Sequence, residues 1–157
     1  MSLIKKILLA IAIVAITIQL FPPAHNKSGQ EPATDISKSV IMPPNVEAVL
    51  KNACYDCHSN NTRYPWYTHL QPIGWMMASH IKDGKKELNF SEFSSYTSRR
   101  KVSKLNGIAS SIEDDIMPLS SYKLMHKEAQ LTAQEKELII NWALQTKDGI
   151  SAKNKKQ

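Results

Sequence analysis

The stretch Cys54-Tyr55-Asp56-Cys57-His58 decides how the rest of the chain is interpreted, because it contains both cysteines of the sequence. If this stretch is helical, cysteines three residues apart lie on one side, where both sulfurs can reach one edge of a flat ligand. The next residue then projects its imidazole beneath the ring. The pattern Cys-x-x-Cys-His is the attachment signature of a c-type haem. The sequence therefore predicts one covalently attached haem c, with His58 as a ligand of the iron.

Three other uses of a cysteine pair are the alternatives. A thioredoxin-type redox site is expected after a strand in a βαβ unit, and the sequence shows no strand pattern. A zinc site would need a fourth ligand, and the adjacent Cys57 and His58 are awkward for a tetrahedron. A disulfide across two residues would be strained. Haem attachment is thus the interpretation that the pattern favours.

Met117 is the predicted second ligand of the iron. It lies in a loop directly before Pro118, with enough chain after His58 to cross to the far face of a haem. Iron held by histidine and methionine is an electron-transfer arrangement with a raised potential. A core methionine in the apolar run 116–119 is the alternative for this residue. The rival ligands are His69, His80, His126, Met76, Met77 and Met125, and an open iron position is the remaining alternative.

The N-terminus has the pattern of an export signal. Lys5 and Lys6 precede the apolar stretch 7–21. With the apolar residues ahead of the lysines, the stretch is long enough to span a bilayer. No small-x-small cleavage site follows it, so residues 1–23 are predicted to be an uncleaved signal-anchor helix rather than a removed signal. Positive charge stays inside, which predicts that the rest of the chain faces the periplasm.

Three further segments are expected after the anchor. Residues 24–41 are polar and predict a flexible linker. Residues 42–148 form the predicted c-type haem-binding domain, and residues 149–157 a basic, disordered tail. Lys and Arg outnumber Asp and Glu by 20 to 14. Because the surplus lies near the termini, with no basic element interleaved with aromatic residues, nucleic-acid binding is excluded as a function.

The periodicity of apolar residues predicts an all-α domain. No strand pattern or internal repeat stands out. Helices are expected over 46–53 with Asn45 as cap, over 72–81 with Gly84 past the end, over 92–113 with Ser91 as cap, and over 132–146 with a capping box of Thr132 and Glu135.

Several runs together resemble the small bacterial haem-binding domain proteins. The resemblance covers about 42–144 and extends to the N-terminal apolar segment. It implies a covalently bound haem in an exported protein, and it implies no particular reaction. The runs are Met42 to Asn45, 54–67, 72–75, His80-Ile81, 88–93 and Met117-Pro118.

The order of helix, cysteine motif, loop, helices, Met-Pro loop and terminal helix is more loosely similar to class I cytochromes c. The long loop 59–71 and the weak first helix depart from that pattern. The similarity implies that a proline carbonyl after the motif accepts the proton of the proximal imidazole. The residues it concerns are Pro65 or Pro72 for that carbonyl, Trp66 and Trp75 as donors to a haem propionate or as packing residues, and Arg63 as a partner of a propionate or a solvated loop residue.

The expected function is that of a monohaem electron carrier at the periplasmic face of the inner membrane. Its partners would be redox proteins, with the membrane reached through the N-terminal helix. The alternatives are a sensor of a small gas or peroxide at an open iron position and an accessory haem subunit of a larger redox complex. No nucleophile, paired carboxylate or phosphate loop is evident, so the chain is not expected to be an enzyme.

Overall fold

The chain folds into helices joined by turns and loops, as a computed structural model of residues 1–154 shows. Within these residues there is no strand, only an isolated bridge between Lys27 and Asn61, so the predicted all-α class is confirmed. The α-helices are α1 (Leu3–Thr17), α2 (Pro44–Ala53), α3 (Tyr55–His58), α4 (Ile73–Glu87), α5 (Ser98–Glu113), α6 (Ser120–Met125) and α7 (Ala133–Asn154); short 3-10 turns are Ile18–Leu20, Ile36–Lys38, Trp66–His69, Phe90–Ser95 and Lys127–Ala129.

The core lies where α5 packs along α7 and α2 meets α7. Leu105 of α5 and Ile139 of α7 are fully buried there. Trp142 of α7 is also buried, and its indole nitrogen donates to the carbonyl of Ile41 at 3.1 Å. The last helix is therefore fastened to the chain just ahead of α2, which leads into the cysteine motif.

The helix ends show which capping signals are correct. The capping box of α7 is present, because the Glu135 amide donates to Thr132 Oγ1 at 3.2 Å and the Thr132 amide to Glu135 Oε2 at 2.8 Å. The helix then continues past the predicted end to Asn154, so residues 149–154 are helical rather than disordered. Residues 155–157 of the predicted tail lie outside the described residues.

Two helix starts differ from the prediction. The helix expected from residue 92 begins at Ser98, because Thr97 Oγ1 caps it by accepting from the Arg100 amide. The residues before it form the 3-10 turn Phe90–Ser95, which Asn89 caps in place of Ser91. The helix α2 begins at Pro44 rather than at residue 46, because proline suits the first turn of a helix. The short helix α6 was not predicted.

Gly84 lies inside α4, whereas the sequence pattern placed it beyond the end of that helix. A Cβ atom at this position would lie 2.7 Å from the carbonyl oxygen of Cys57. A glycine is therefore needed here for close packing, because α4 passes directly against the cysteine motif.

The segment 24–41 packs on the domain and so differs from the predicted flexible linker. Ile36 is fully buried in the main core, and the neighbouring Asp35 is buried as well. Thr34 Oγ1 donates to the Ser91 carbonyl at 2.7 Å, and the backbone N–H of Asn26 donates to the hydroxyl of Tyr64 at the same distance. A polar composition hid these contacts, since one buried isoleucine and a series of hydrogen bonds are enough to hold the segment in place.

The burial of Ile36 gives a direct test of this packing. Ile36→Ala is expected to lower the free energy of unfolding by about 2 to 4 kcal/mol, because it leaves a cavity in the core. Ile41→Ala is the matched control, since Ile41 is 91% exposed, and it should change stability by less than about 0.5 kcal/mol. Urea unfolding of the detergent-solubilised protein, followed by circular dichroism, measures both. Equal effects of the two changes would contradict the packed arrangement.

Candidate functional site

A cavity of about 320 Å³ lies between the cysteine motif and the segment 117–126. This volume is in the range of cofactor-binding pockets. All four predicted haem-binding residues, Cys54, Cys57, His58 and Met117, line it. The other lining residues are Ala53, Tyr67, Ile73, Met76, Met77, His80, Asp83, Gly84, Glu87, Pro118, Leu119, Ser121, Tyr122, Met125 and His126.

His58 is held in an orientation suited to binding a metal. Its Nδ1 lies 3.0 Å from the carbonyl oxygen of Leu88. Because a carbonyl only accepts, the proton sits on Nδ1, and Nε2 keeps its lone pair. Burial lowers the pKa of the ring, which keeps it neutral near pH 7. A neutral imidazole fixed through its other nitrogen is the usual arrangement of a metal-ligating histidine.

The acceptor for His58 differs from the proline carbonyl that the cytochrome similarity implied. Neither Pro65 nor Pro72 accepts this bond. The acceptor is the carbonyl of Leu88, thirty residues after His58. The physical reason is the end of α4. Leu88 is the extended residue that follows the helix, so its carbonyl is free of the helical hydrogen-bond ladder.

The two thiols are unpaired and partly buried in the cavity wall. Burial, with a smaller contribution from the charge of the neighbouring Cys57, raises the pKa of Cys54 to about 12. Burial also raises the pKa of Cys57, to about 11. A thiol–disulfide oxidoreductase needs the opposite shift, because the thiolate is the nucleophile. Within residues 1–154 no three His, Cys, Asp or Glu side chains are grouped to hold a metal ion. These observations argue against the thioredoxin and zinc alternatives.

Asp56, between the two cysteines, fastens the motif to its surroundings. Its carboxylate is 3% exposed and accepts from the Arg63 side chain, the Arg63 amide and the Tyr122 hydroxyl, the last at 2.6 Å. Arg63 therefore pairs with Asp56, and it does not line the cavity. The sequence contained no signal for this role, because nothing near an acidic residue inside the motif indicates which distant side chains will bond to it.

The structure narrows the set of rival iron ligands. His126 is buried in the cavity wall, but its Nε2 bonds to the Tyr67 hydroxyl at 2.5 Å and its Nδ1 lies 3.3 Å from the Glu128 carboxylate. Neither ring nitrogen is free. His69 is exposed, as expected, and does not line the cavity. The other residues predicted as second ligands, Met117, His80, Met76, Met77 and Met125, all line the cavity.

The two tryptophans considered as propionate donors or packing residues, Trp66 and Trp75, lie outside the cavity lining. Trp66 is 75% exposed, so it is not a packing residue. Trp75 is 39% exposed, and its indole nitrogen donates to the carbonyl of Phe21 at 2.7 Å. Neither residue lines the cavity. Trp75 instead contacts the segment that follows the N-terminal helix.

The cavity fits a flat, largely apolar cofactor that contains iron. Its walls are mostly aliphatic and aromatic side chains, with two thiols and an oriented, neutral imidazole among them. Among the described residues that line it, none is lysine or arginine. The fold and the site thus define a small helical haem protein.

Comparison with known proteins agrees with this class. A family model described as "Haem-binding domain" matches residues 13–145, which is most of the chain and includes the last part of α1. The chain belongs to this haem-binding domain family, and haem is its ligand. No curated protein and no solved structure matches it.

The contact of Gly84 with the motif predicts a specific effect of one methyl group. Gly84→Ala is expected to cost about 1 to 3 kcal/mol of stability and to lower the fraction of chains that carry haem, because α4 must move away from Cys57. Gly107→Ala is the control inside α5, where a Cβ meets no atom within 4 Å. It should stabilise the protein by about 0.5 to 1 kcal/mol. Thermal unfolding and haem absorbance measure both; unchanged haem content in Gly84→Ala would count against the close packing.

The raised pKa values of the thiols predict slow alkylation of the haem-free protein. At pH 8 the folded protein should react with iodoacetamide about a hundredfold more slowly than the same protein in urea, because a thiol with the ordinary pKa of about 8.5 is far more ionised. The rate should rise about tenfold for each pH unit until about pH 11. Intact-mass spectrometry follows the reaction. Similar rates in the folded and unfolded protein would show that the thiols are not buried as described.

Proposed function

We propose that the protein binds one haem c covalently and acts as an electron carrier. The observation that carries the proposal is that two cysteines and a histidine whose Nδ1 is held by the Leu88 carbonyl line one apolar cavity. Each thiol would add across one vinyl group: the sulfur bonds to one vinyl carbon and the hydrogen ends on the other, so no oxidant is consumed. Cys54 and Cys57 would thereby tie the cofactor to α3 and place His58 beneath it.

Met117 is the proposed second ligand. Its side chain lines the cavity, its amide donates to the Ser111 carbonyl at 3.0 Å, and the following Pro118 is buried. These contacts hold the loop against α5 and keep the thioether in a defined place. A thioether favours ferrous iron and so raises the potential.

The pairing of the two tyrosine hydroxyls in the cavity favours the electron-carrier function over the alternative with an open iron position. The hydroxyl of Tyr67 is paired with His126, and that of Tyr122 is paired with Asp56. Paired groups need little rearrangement when a charge changes nearby. Haem, when bound, supplies the one-electron couple of its iron. The chain's contribution is to fix the ligands, exclude water with apolar side chains and hold these polar groups in one arrangement.

The proposed location is the periplasmic face of the inner membrane. The stretch Leu3–Leu20 has a mean hydropathy of 2.2, none of it is buried in the protein, and it is long enough to cross a bilayer. A signal sequence has the same properties. The Pro22-Pro23 sequence and the absence of a small-x-small site after the stretch favour retention as an anchor. Redox proteins of the membrane and the periplasm would be the partners, with no enzymatic reaction of the chain's own.

The proposal is tested on protein made in a host with machinery for c-type haem attachment. The intact mass should exceed that of the polypeptide by one haem, and the ferrous protein should not bind carbon monoxide readily. Met117→Ala should lower the midpoint potential on the order of 100 mV, within the range of about 0.8 V that axial ligands span, and should open the iron to carbon monoxide.

Met125→Ala is the matched control, because it removes another thioether from the same cavity wall. It should keep the wild-type spectrum and potential. A potential that responds to His80→Ala but not to Met117→Ala would assign the ligand to His80. Ready binding of carbon monoxide by the unmodified protein would favour the sensor function, and a colourless protein with two free thiols would refute the haem c proposal.

A further inference from the structure

An exposed apolar surface lies beside the end of the N-terminal helix. We call it the tryptophan surface; its members are Trp66, Leu70, Ile73, Trp75 and Met76. Each of them is more than a third exposed, although all five are large and apolar. Ile73 and Met76 also line the haem cavity, so Trp66, Leu70 and Trp75 are the members that lie outside the cavity lining. Trp66 belongs to the 3-10 turn Trp66–His69, Leu70 follows that turn, and the other three lie in the first turn of α4, which contacts the 3-10 turn. Contiguous apolar exposure of this kind marks a surface that contacts a protein or a membrane.

The tryptophan surface is directly bonded to the end of the apolar N-terminal stretch. The backbone N–H of Gln71 donates to Gln19 Oε1 at 2.9 Å, and Gln19 Nε2 donates to the backbone carbonyl of Gln71 at 3.2 Å. Trp75 donates to the carbonyl of Phe21 at 2.7 Å. Leu20 and Phe21, at the end of that stretch, are themselves exposed. The apolar surface is therefore continuous with the stretch Leu3–Leu20.

We infer that the tryptophan surface rests on the outer leaflet of the bilayer that α1 crosses. The inference depends on the proposed retention of α1 as an anchor. The partner is a phospholipid surface rather than a protein, because Gln19 is bonded to Gln71 and leaves no spacer between the span and the domain. Tryptophan also favours the interface of membrane and water, where its ring is in the apolar region and its indole N–H keeps a polar partner.

This contact fixes where the haem cavity lies relative to the membrane. Ile73 and Met76 belong both to the tryptophan surface and to the cavity lining, and Tyr67 of the lining follows Trp66 directly. The cavity thus opens close to the lipid headgroups. Electron donors and acceptors held in or on the membrane are then the partners that reach it most directly, which specifies the proposed carrier function further.

The test is lipid photo-crosslinking of the full-length, haem-loaded protein. The protein is reconstituted in vesicles of phosphatidylcholine and phosphatidylglycerol that contain a phospholipid with a diazirine near the glycerol backbone. After irradiation, peptide mass spectrometry should find adducts on α1 and on residues 66–76. Peptides with Ile41 and Leu124 are internal controls, because these residues are 91% and 79% exposed and equally apolar. Labelling of 66–76 should exceed theirs several-fold.

A pair of variants checks that the labelling depends on the surface. Trp66→Ser should reduce the adducts on the peptide that contains Leu70, whereas Leu124→Ser should leave them unchanged. The haem absorbance of each variant shows that the domain is folded. Labelling of α1 with no excess over the controls at 66–76 would overturn the inference and leave the anchor intact.

The same experiment separates failure of the inference from failure of the proposed function. An N-terminal segment that is missing from the protein, or present but free of lipid adducts, would refute the anchor and with it the inference. The haem spectrum and the intact mass report on the carrier proposal independently of any lipid adduct.

Discussion

The carboxylate of Asp56 has lost nearly all its contact with water, although it lies in a short helix at the edge of a cavity. Removing a carboxylate from water costs several kcal/mol unless other groups replace the lost hydrogen bonds. Arg63 and Tyr122 replace them here, one from the loop after the motif and one from α6. Each of these elements is therefore held to the residue between the two cysteines. The wall that carries the motif and the wall that carries residues 117–126 keep a fixed relation through this one side chain.

The same constraint shapes what the cavity offers to a ligand. Because Tyr122 is turned toward Asp56 and Tyr67 is bonded to His126, these three polar side chains of the wall, Tyr67, Tyr122 and His126, are used within the protein. The rest of the lining is mostly aliphatic side chains and sulfur atoms, with a few polar groups from His58, His80, Asp83, Glu87 and Ser121. This set suits the haem that the family binds, and it explains how a chain with few large apolar residues can still have an ordered interior: the cofactor takes part of the space.

Some local signals in the sequence predicted the structure correctly, whereas features that depend on distant contacts were not predicted. The capping box at Thr132 and the position of Met117 in a loop both follow from residues close together in the chain, and Met117 lines the cavity. The roles of Leu88 and Gly84 depend on where α4 passes the motif, which no nearby residue specifies. Residues 24–41 have a polar composition that resembles a linker, and only the fold shows that Ile36 completes the core.

The close contact of Gly84 with the carbonyl of Cys57 adds one more residue requirement to the cysteine motif. In the proposed attachment two cysteines and a histidine hold the haem, but the distance between the motif and the crossing helix is specified by the size of a residue in another part of the chain. A chain with the same five residues and a larger side chain at the crossing point would have to hold its second helix farther away. Its binding chamber would then differ in width, so sequences that share the short motif need not share the same chamber.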